Sequence, residues 1–429
     1  MANDQNNKKF ASLGLGAGLL SALESLGYAS MTPIQAQSLP HVLKGGDVIA
    51  QAKTGSGKTA AFGLGVLQKL DVGRFRVQSL VLCPTRELAD QVAREMRRLA
   101  SAIHNIKILT LCGGAPFGPQ LGSLRHGAHI VVGTPGRIEE HLRKGTLDLS
   151  EVNTLVLDEA DRMLDMGFQE SVDAIVAHTP ARRQTLLFSA TYPDQIQGLA
   201  RRVLRRPVTV KVESTHGGRS IRQRFYRFEQ NKQRQNMLRL LLQKFRPESA
   251  LVFSNTKRES EDVADNLRSH GFIALALHGD LEQKARDEVL VRFANRSVSV
   301  LVATDVAARG LDIDDLDAVI NYHIARDPEV HVHRIGRTGR AGKKGAALTL
   351  FSASEDYRAA RLEAYLDQKI EVDELPPFKL LDKPAYRPPM VTLQIDGGRK
   401  QKVRPGDVLG ALTGENGIAG KHVGTIHIF

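Results

Sequence analysis

The 429-residue sequence is poor in cysteine and in aromatic residues, and it contains no tryptophan. Its two cysteines, Cys83 and Cys112, are too few for a disulfide scaffold or a cysteine zinc site, and they fit a reducing cytoplasm. Aromatic residues make up 5% of the chain, so a broad platform for stacking bases is not expected. No apolar run approaches the ~18 residues that a membrane helix needs. The polar residues 1–10 do not resemble a secretory signal. We therefore expect a cytoplasmic protein without a membrane segment.

The charge of the chain is unbalanced in the basic direction. Lysine and arginine number 59 against 47 acidic residues, which gives a formal net charge of +12 at pH 7. Such an excess suits a polyanionic partner, most simply nucleic acid. A basic protein without such a partner fits the charge alone equally well, so the motifs have to decide between the two.

Short apolar runs alternate with longer helix-like segments such as residues 87–99, which predicts parallel βα units. Strand-length runs begin at positions 47, 80, 106, 130, 155 and 186, and a second series begins at 250, 273, 298, 318 and 346. We therefore predict an α/β fold with two tandem parallel-sheet domains, residues 1–207 and 221–372. A polar, glycine-containing linker at 208–220 separates them.

The C-terminal part reads differently. A proline-rich segment, residues 373–390, predicts a stiff and extended connector. Beyond it we predict a strand at 391–395, a helix at 404–412 and a strand at 422–429. These elements amount to about half of a small α+β domain.

A glycine-rich loop follows the first predicted strand and leads into a predicted helix. It consists of Ala52, Lys53, Thr54, Gly55, Ser56, Gly57, Lys58 and Thr59. The pattern G-x-x-x-x-G-K-[ST] is met except that Ala52 replaces the first glycine. The glycines let backbone N–H groups surround phosphate, Lys58 supplies charge to the β- and γ-phosphates, and Thr59 offers a hydroxyl to Mg²⁺. The loop therefore predicts a nucleoside triphosphate site.

Two further groups of residues complete such a site. Asp158 and Glu159 end a buried strand, where Asp158 can hold the metal, directly or through water, and Glu159 can polarise the attacking water. Arg337 and Arg340, in the second predicted domain, are three residues apart and would share a face of a helical turn. They would reach the γ-phosphate only when the domains close. A solvated acidic turn and a basic surface helix are the alternatives for the two groups.

Together with Gly27-Tyr28, the segment Thr32-Pro33-Ile34-Gln35 and the turn Asp158-Glu159-Ala160-Asp161, these motifs resemble the DEAD-box family of superfamily 2 RNA helicases. The likeness covers about residues 10–350 and implies two RecA-like domains with ATP and Mg²⁺ as ligands. It implies that Gln35 reads adenine, that Tyr28 packs near it and that Asp312 approaches the ribose. It assigns coupling of hydrolysis to strand separation to Ser189, Thr191 and His333.

The same resemblance implies a set of RNA contacts on both domains. They are Pro84, Thr85, Arg86, Gly114, Thr134, Pro135, Gly136, Arg137, Arg286, Thr304 and Asp305. ATP and single-stranded RNA would draw the domains together, and bending of the bound strand would open short duplexes locally. His323 and Ala325 depart from the aspartate and proline that many family members carry. A DNA-translocating helicase and a non-enzymatic RNA clamp remain as rival functions.

Residues 395–400 and 404–414 resemble the opening of an RRM-like RNA-binding domain found in one bacterial subfamily. The resemblance implies binding to a hairpin of 23S ribosomal RNA and a role in large-subunit assembly, hence in ribosome biogenesis. Only about half of the elements of an RRM precede residue 429. The alternative is a general RNA-dependent ATPase without rRNA specificity. In either case we expect a monomer.

Overall fold

The computed structural model describes residues 9–52, 55–212, 221–308, 316–339 and 345–428, and for residue 399 the backbone only. These residues form two compact units, 9–212 and 221–428. Each unit is built on one parallel sheet. No helix among the described residues is long and apolar enough to cross a membrane.

The first unit contains a seven-stranded parallel sheet in the order β3-β4-β2-β5-β6-β1-β7. Its strands are β1 (Val48–Gln51), β2 (Ser79–Leu82), β3 (Ile108–Leu111), β4 (Ile130–Gly133), β5 (Thr154–Asp158), β6 (Gln184–Ser189) and β7 (Val208–Lys211). Its helices are α1 (Ala17–Ser25), α2 (Pro33–Leu43), α3 (Lys58–Gln68), α4 (Arg86–Leu99), α5 (Phe117–Arg125), α6 (Pro135–Arg143), α7 (Ala160–Asp165), α8 (Gln169–Ala177) and α9 (Asp194–Val203).

The second unit contains a six-stranded parallel sheet in the order β10-β11-β9-β12-β13-β8. Its strands are β8 (Ile221–Phe228), β9 (Ala250–Ser254), β10 (Ala274–Leu277), β11 (Val300–Thr304), β12 (Ala318–Asn321) and β13 (Gly345–Ser352). Its helices are α10 (Arg234–Phe245), α11 (Lys257–Ser269), α12 (Gln283–Ala294), α13 (Asp305–Ala308), α14 (Pro328–Ile335), α15 (Asp356–Leu366) and α16 (Pro405–Thr413).

The central strands are mainly apolar because both faces of each sheet are covered. In β2, Val81 packs into a cluster with Phe62 and Phe188, whereas Leu80 and Leu82 pack into a second cluster. All four residues of β2 are buried. The predicted α/β class and the eleven predicted strands of the two domains are confirmed.

The two edge strands β7 and β8 were not predicted. Residues 208–211, which we placed in the linker, form β7 and pair in parallel with β1. Three of the four residues of β7 are exposed, so it carries no continuous apolar run that would mark a strand. The first domain therefore extends beyond the predicted boundary at residue 207. The remaining linker residues, 213–220, lie outside the described residues.

The C-terminal segment contacts the second unit before it reaches its last helix. The Asp373 N–H donates to the Phe225 carbonyl at 2.8 Å, and a 3-10 helix follows at Phe378–Asp382. Tyr386 is buried edge-on against the ring of Phe272. The proline-rich segment is thus packed along part of its length.

One α-helix, two short 3-10 helices and no strand form beyond residue 390 in the part that the structure describes. The helix predicted at 404–412 is confirmed as α16, but the strands predicted at 391–395 and 422–429 are wrong. The Val391, Leu393 and Ile395 side chains are exposed. A strand forms only where an adjacent strand takes up its hydrogen bonds, and no described strand lies beside either segment.

Candidate functional site

The predicted site residues of the first unit follow the carboxyl ends of its strands. The glycine-rich loop follows β1, Asp158 ends β5, and Ser189 ends β6. Parallel strands end at the same edge of a sheet, so these groups come together on adjacent strands of the order β5-β6-β1. The predicted RNA contacts follow β2, β3 and β4 at the same edge.

The glycine-rich loop has the backbone that a phosphate site requires. Gly55 and Gly57 have φ angles of 79° and 90°, in the left-handed region, and Gly57 immediately precedes α3. The Lys58 ammonium is buried and donates to the Ala52 carbonyl at 2.9 Å. Within the described residues, the Ser56 hydroxyl oxygen is buried without a hydrogen-bond partner. The loop therefore offers a buried cation, an unsatisfied hydroxyl and a helix N-terminus.

Asp158 is buried at the end of β5, with 2% of its surface exposed. Burial raises its pKa to about 7, the Lys58 charge opposes this rise, and the Glu159 charge adds to it. The Glu159 N–H donates to the Asp158 carboxylate at 3.0 Å. A cation beside this buried carboxyl group would favour its ionised form, which is the form that ligates a metal.

Glu159 occupies a left-handed backbone conformation, with φ 52° and ψ 51°, and precedes α7. This conformation is uncommon for a residue with a side chain. The Glu159 carboxylate lies 3.2 Å from Arg162, and both side chains are buried. The turn thus directs Glu159 away from the path of a regular helix and holds it in a buried ion pair.

Asp161 connects this turn to the segment that follows β6. Its Oδ2 accepts the Thr191 N–H and the Thr191 hydroxyl, each at 2.9 Å, and the Ala190 N–H at 3.2 Å. The Asp161 N–H donates to Ser189 Oγ at 3.3 Å. Burial opposes ionisation of Asp161, but the hydrogen bonds from Thr191 and the charges of Lys58 and Arg162 together outweigh it, and its pKa is lowered. A movement of either segment is therefore transmitted to the other.

The two residues predicted to face adenine are both engaged by other parts of the protein. Gln35 is buried, accepts the Thr32 N–H at 2.8 Å, and donates to the Gly57 carbonyl at 3.1 Å. The half-buried Tyr28 donates its hydroxyl to Glu95 at 2.5 Å. Gln35 therefore holds the phosphate loop directly.

The predicted RNA contacts of the first unit lie at loop and helix starts. Thr85 caps α4 through the Leu88 N–H at 3.3 Å, and Thr134 precedes α6. Gly114 has a φ of 68°, and a β-carbon there would overlap the Arg86 guanidinium. The N–H groups at a helix start suit phosphate binding. The Arg86 guanidinium lies so close to Gly114 that no residue with a side chain would fit there. Pro84 and Pro135 are buried beside these starts, and Gly136 is exposed.

Arg137 is held by its neighbours. Its guanidinium donates to the Ala115 carbonyl at 3.0 Å and to Gln120 Oε1 at 2.9 Å, and it lies 3.0 Å from Glu140. Gln120 also donates to the Cys112 carbonyl at 2.9 Å. These bonds tie the first turn of α6 to the segment after β3, so the predicted RNA contacts Arg137 and Gly114 lie on connected segments.

In the second unit, Thr304 ends β11 and its hydroxyl accepts the Ala307 N–H at 3.3 Å. Asp305 accepts two hydrogen bonds from the buried Arg334, at 2.6 and 2.7 Å. Arg286 donates to the Ala307 carbonyl at 2.9 Å. Asp305 is therefore engaged by an arginine of the protein, while Arg286 and Thr304 fix the turn between them.

We predicted that Arg337 and Arg340 share a face of a helical turn, and for Arg337 this prediction is wrong. Helix α14 ends at Ile335, and Arg337 lies beyond it, buried. Gly339 has a φ of 69°, which no residue of an α-helix adopts. His333 lies within α14 and is half-buried. Lys53, Thr54, Asp312 and Arg340 lie outside the described residues.

Three residues whose hydrogen bonds or ion pairs organise the site were not among the predicted site residues. Asp161 links the turn after β5 to Thr191, Arg334 pairs with Asp305, and Gln120 joins two segments that are predicted to contact RNA. Asp161 and Arg334 lie within motifs that are recognisable in the sequence, so their positions could have indicated a role in the site. Gln120 lies in a helix with no such pattern.

Comparison with known proteins assigns the chain to a family. Residues 32–199 match the DEAD/DEAH box helicase family, and residues 233–342 match the helicase conserved C-terminal domain. The chain is 54% identical over 409 residues to the ATP-dependent RNA helicase DbpA of Escherichia coli (strain K12), covering 95% of this chain and 89% of that protein. The chain belongs to the DEAD-box family of ATP-dependent RNA helicases.

Other comparisons extend this result. Residues 392–429 match the DbpA RNA binding domain. The DEAD-box helicase CshA of Geobacillus kaustophilus is 45% identical over 362 residues, covering 84% of this chain and 77% of that protein. The structure of Dbp5 from S. cerevisiae bound to RNA and ADP BeF3 gives a TM-score of 0.76 at 28% identity, covering 88% of this chain and all of that one. This DEAD-box protein is thus an RNA-dependent ATPase with two RecA-like domains and a short C-terminal DbpA domain.

The residues of this DEAD-box site also fit a magnesium ion. Asp158 offers a buried carboxylate whose raised pKa a divalent cation would lower, and Thr59 offers a half-buried hydroxyl. No group of three or more His, Cys, Asp or Glu side chains that could hold a metal occurs in the described part of the chain. That donor set suits Mg²⁺, which keeps several waters and takes its other ligands from nucleotide phosphates.

Proposed function

We propose that this helicase hydrolyses ATP at the edge of its first sheet and opens short RNA duplexes locally, acting on 23S rRNA during assembly of the large ribosomal subunit. The match of residues 392–429 to the DbpA RNA binding domain carries the rRNA assignment. The identity of 54% to a DbpA that this chain nearly spans supports it. By this likeness to a bacterial protein, the site of action is the cytoplasm.

The phosphate groups of ATP are bound by the glycine-rich loop. Lys58 now donates to the Ala52 carbonyl, and a phosphate oxygen is the stronger, charge-assisted acceptor for the same ammonium. Gly55, Gly57 and the N-terminus of α3 supply N–H groups. Asp158 and Thr59 hold Mg²⁺, partly through water, and the ion would neutralise charge on the phosphates.

Glu159 orients and polarises the attacking water. In the described conformation its carboxylate is paired with Arg162, so it must exchange that partner for water during turnover. Arg337 and Arg340 of the second domain stabilise the transferring phosphoryl group. An arginine in that role contributes roughly 10³- to 10⁵-fold to the rate. Because the two sets of residues belong to separate units, hydrolysis depends on closure of the domains.

RNA is held by its phosphates and 2′-hydroxyls. Arg86, Arg137, Arg286 and the loop starts at Thr85 and Thr134 supply the contacts, which carry little sequence information. The hydrogen bonds between Asp161 and Thr191 give the physical link from the hydrolysis turn to the segment after β6. Sequence preference therefore has to come from the C-terminal domain.

The rRNA assignment is tested by comparing ATPase stimulation by a 23S rRNA fragment with stimulation by an unrelated RNA of equal length. We expect half-maximal stimulation at a much lower concentration of the rRNA fragment. A Lys400→Gln, Lys402→Gln variant should lose part of that preference, because both exposed cations belong to the matched domain. A Lys369→Gln, Lys379→Gln variant removes the same charge outside the domain and should keep the preference.

Equal stimulation by both RNAs in the unaltered protein would replace the rRNA role by that of a general RNA-dependent ATPase. ATPase activity that single-stranded DNA stimulates as well as RNA would contradict the RNA specificity of the core.

A further inference from the structure

A cluster of cations lies at the edge of the first sheet opposite to the ATP site. It consists of Lys44 before β1, Arg182 and Arg183 before β6, and Arg205 and Arg206 before β7. These strands are adjacent in the sheet, in the order β6-β1-β7. We refer to these five residues as the amino-edge cluster.

Asp47 brings the segments of the cluster together. Its Oδ1 accepts the Thr185 N–H at 2.8 Å, and its Oδ2 accepts the Arg205 N–H at 2.6 Å. Its carbonyl accepts the Val208 N–H at 2.9 Å. One buried carboxylate therefore fixes the starts of β6 and β7 beside the start of β1, and the two arginine pairs are held close to each other.

The charge of the cluster is not neutralised by the loops that carry it. Asp47 is the only acidic residue in the segments 44–47, 178–183 and 204–207, and its carboxylate is engaged by backbone N–H groups. Arg182, Arg205, Arg206 and Lys44 are exposed. Arg183 is half-buried and donates to the Pro180 carbonyl at 2.9 Å. Burial lowers the pKa of Arg183, and the neighbouring charge of Arg205 lowers it further.

Such clustering is unfavourable for the isolated protein. Like charges in proximity repel, and Arg206 in addition holds a left-handed backbone with φ 45°. Glycine or asparagine would fit that conformation with less strain. The cations of the cluster therefore repel one another in the isolated protein, and a polyanion bound beside them would relieve that repulsion.

The cluster is separate from the ATP and RNA motifs of the same unit. Those motifs follow the carboxyl ends of the strands, whereas the cluster precedes their amino ends. The six residues of β6 separate the two edges by about 17 Å at ~3.3 Å per residue. The stretch of RNA that binds at the helicase motifs therefore does not contact the cluster at the same point.

We propose that the amino-edge cluster is a second RNA-binding surface, which takes the phosphate backbone of a double-helical or folded part of the substrate. Arginine forks match phosphate oxygens in pairs, and four of the five cations are arginines. The three segments contain no Phe, Tyr or Trp on which unpaired bases could stack. Contacts of this kind follow the backbone and do not read sequence.

An acidic protein is the competing occupant, and the surface argues against it. The cores of protein interfaces are apolar and depleted in charge. Leu204, the one large apolar residue in the three segments, is buried. Closely spaced phosphates, by contrast, supply the dense negative charge that closely spaced arginines require.

The test compares a triple variant, Arg182→Gln, Arg205→Gln and Arg206→Gln, with the unaltered full chain. Arg183 is left in place because it supports the loop. The matched control is Arg74→Gln, Arg125→Gln and Arg143→Gln, which removes the same charge from three other exposed positions of the first unit. Two RNAs are used, a hairpin with a single-stranded tail and the tail alone, and Kd is measured between 50 and 200 mM salt.

For the hairpin we expect the triple variant to bind about 10-fold more weakly and to show a salt slope shallower by about 2 to 3, since each lost phosphate contact removes ~0.7 to 0.9 from the slope. Binding of the tail alone and ATPase activity at saturating RNA should match the control. An Arg→Lys triple variant should recover most of the hairpin affinity.

Hairpin affinity and salt slope equal to those of the control would refute the second surface. An equal loss on hairpin and tail would also refute it, because only general charge would then matter. Neither RNA contains an rRNA sequence, so the outcome is independent of the 23S rRNA assignment.

Discussion

Replacing Asp158 by asparagine should stabilise the nucleotide-free protein at pH 8 while it removes ATPase activity. Asp158 is 2% exposed, and burial raises its pKa to about 7 from an ordinary value of 3.8. An asparagine has nearly the same shape, carries no charge, and can still accept the Glu159 N–H through its amide oxygen. The substitution therefore removes mainly the cost of a buried negative charge.

The size of the effect follows from the two pKa values. In the unfolded chain the carboxyl loses its proton near pH 3.8, whereas in the folded protein it keeps the proton until about pH 7. Between these values the folded state binds more protons, so the free energy of unfolding falls as pH rises. The full loss is about 4 kcal/mol at most, reached above pH 7. The asparagine variant has no such loss.

Thermal unfolding followed by circular dichroism measures this difference, since the chain has no tryptophan. The first unit contains the proposed nucleotide site, so its unfolding transition is the one whose midpoint temperature rises when ADP is added. The stability gain of the variant should be small at pH 4, grow up to about pH 7 and then level off. Mg²⁺ with ADP should lower the pKa of Asp158 and reduce the gain.

A matched control is Asp173→Asn, because 40% of the Asp173 side chain is exposed and its ion pair with Arg202 lies at the surface. That change should stay within about 0.5 kcal/mol at every pH. A gain for Asp158→Asn that does not vary with pH, or a loss of stability at pH 8, would refute the assignment of a raised pKa to this carboxyl.

Three further substitutions test other parts of the site. Asp161→Asn should lower the free energy of unfolding of the first unit by about 2 to 4 kcal/mol in denaturant melts, because it weakens the hydrogen bonds from Thr191 and leaves a buried donor unsatisfied. Glu159→Gln should still bind ATP and RNA, but single-turnover hydrolysis should slow by about 10²-fold or more. Gly57→Ala should weaken ATP binding about 10-fold in titrations, since a β-carbon would lie 2.5 Å from the Gln35 amide.

The outcomes that contradict these expectations differ among the three. An unchanged melt for Asp161→Asn would mean that its bonds to Thr191 contribute nothing in solution. Unaltered hydrolysis in Glu159→Gln would remove Glu159 as the residue that polarises water. Gly145→Ala is a control for the backbone strain of Gly57→Ala, because Gly145 also has a positive φ, 63°, but has open space around its β-carbon position.

The fold was predictable wherever a strand is buried on both faces. In such strands nearly every residue is apolar, as in β2 and β11, and the run stands out from its surroundings. The edge strands β7 and β8 expose one face and carry polar residues such as Lys211 and Arg222. Their pattern does not differ from that of a linker, and only pairing with β1 and β13 defines them.

The candidate site was predictable where a backbone constraint shows in the residue type. Gly57 is required by both its φ angle and its contact with Gln35, and the spacing to Lys58 follows from it. The contacts that bind one motif to another were not predictable. The bonds of Asp161 to Thr191 and of Arg334 to Asp305 join residues about 30 positions apart, and a local pattern holds no information on such distances.

The turn after β5 combines features that would each be unfavourable alone. Asp158 is a buried carboxylate with a raised pKa, Glu159 has a left-handed backbone, and the Glu159–Arg162 pair is buried. A non-glycine residue in that conformation costs about 1 kcal/mol or more. Local propensity therefore does not hold the turn in place. Asp161 accepts three hydrogen bonds from Ala190 and Thr191, and these bonds anchor the turn to the segment after β6. A shift of that segment, which the family resemblance associates with strand separation, would thus displace Asp158 and Glu159, the proposed metal ligand and general base, together with Asp161.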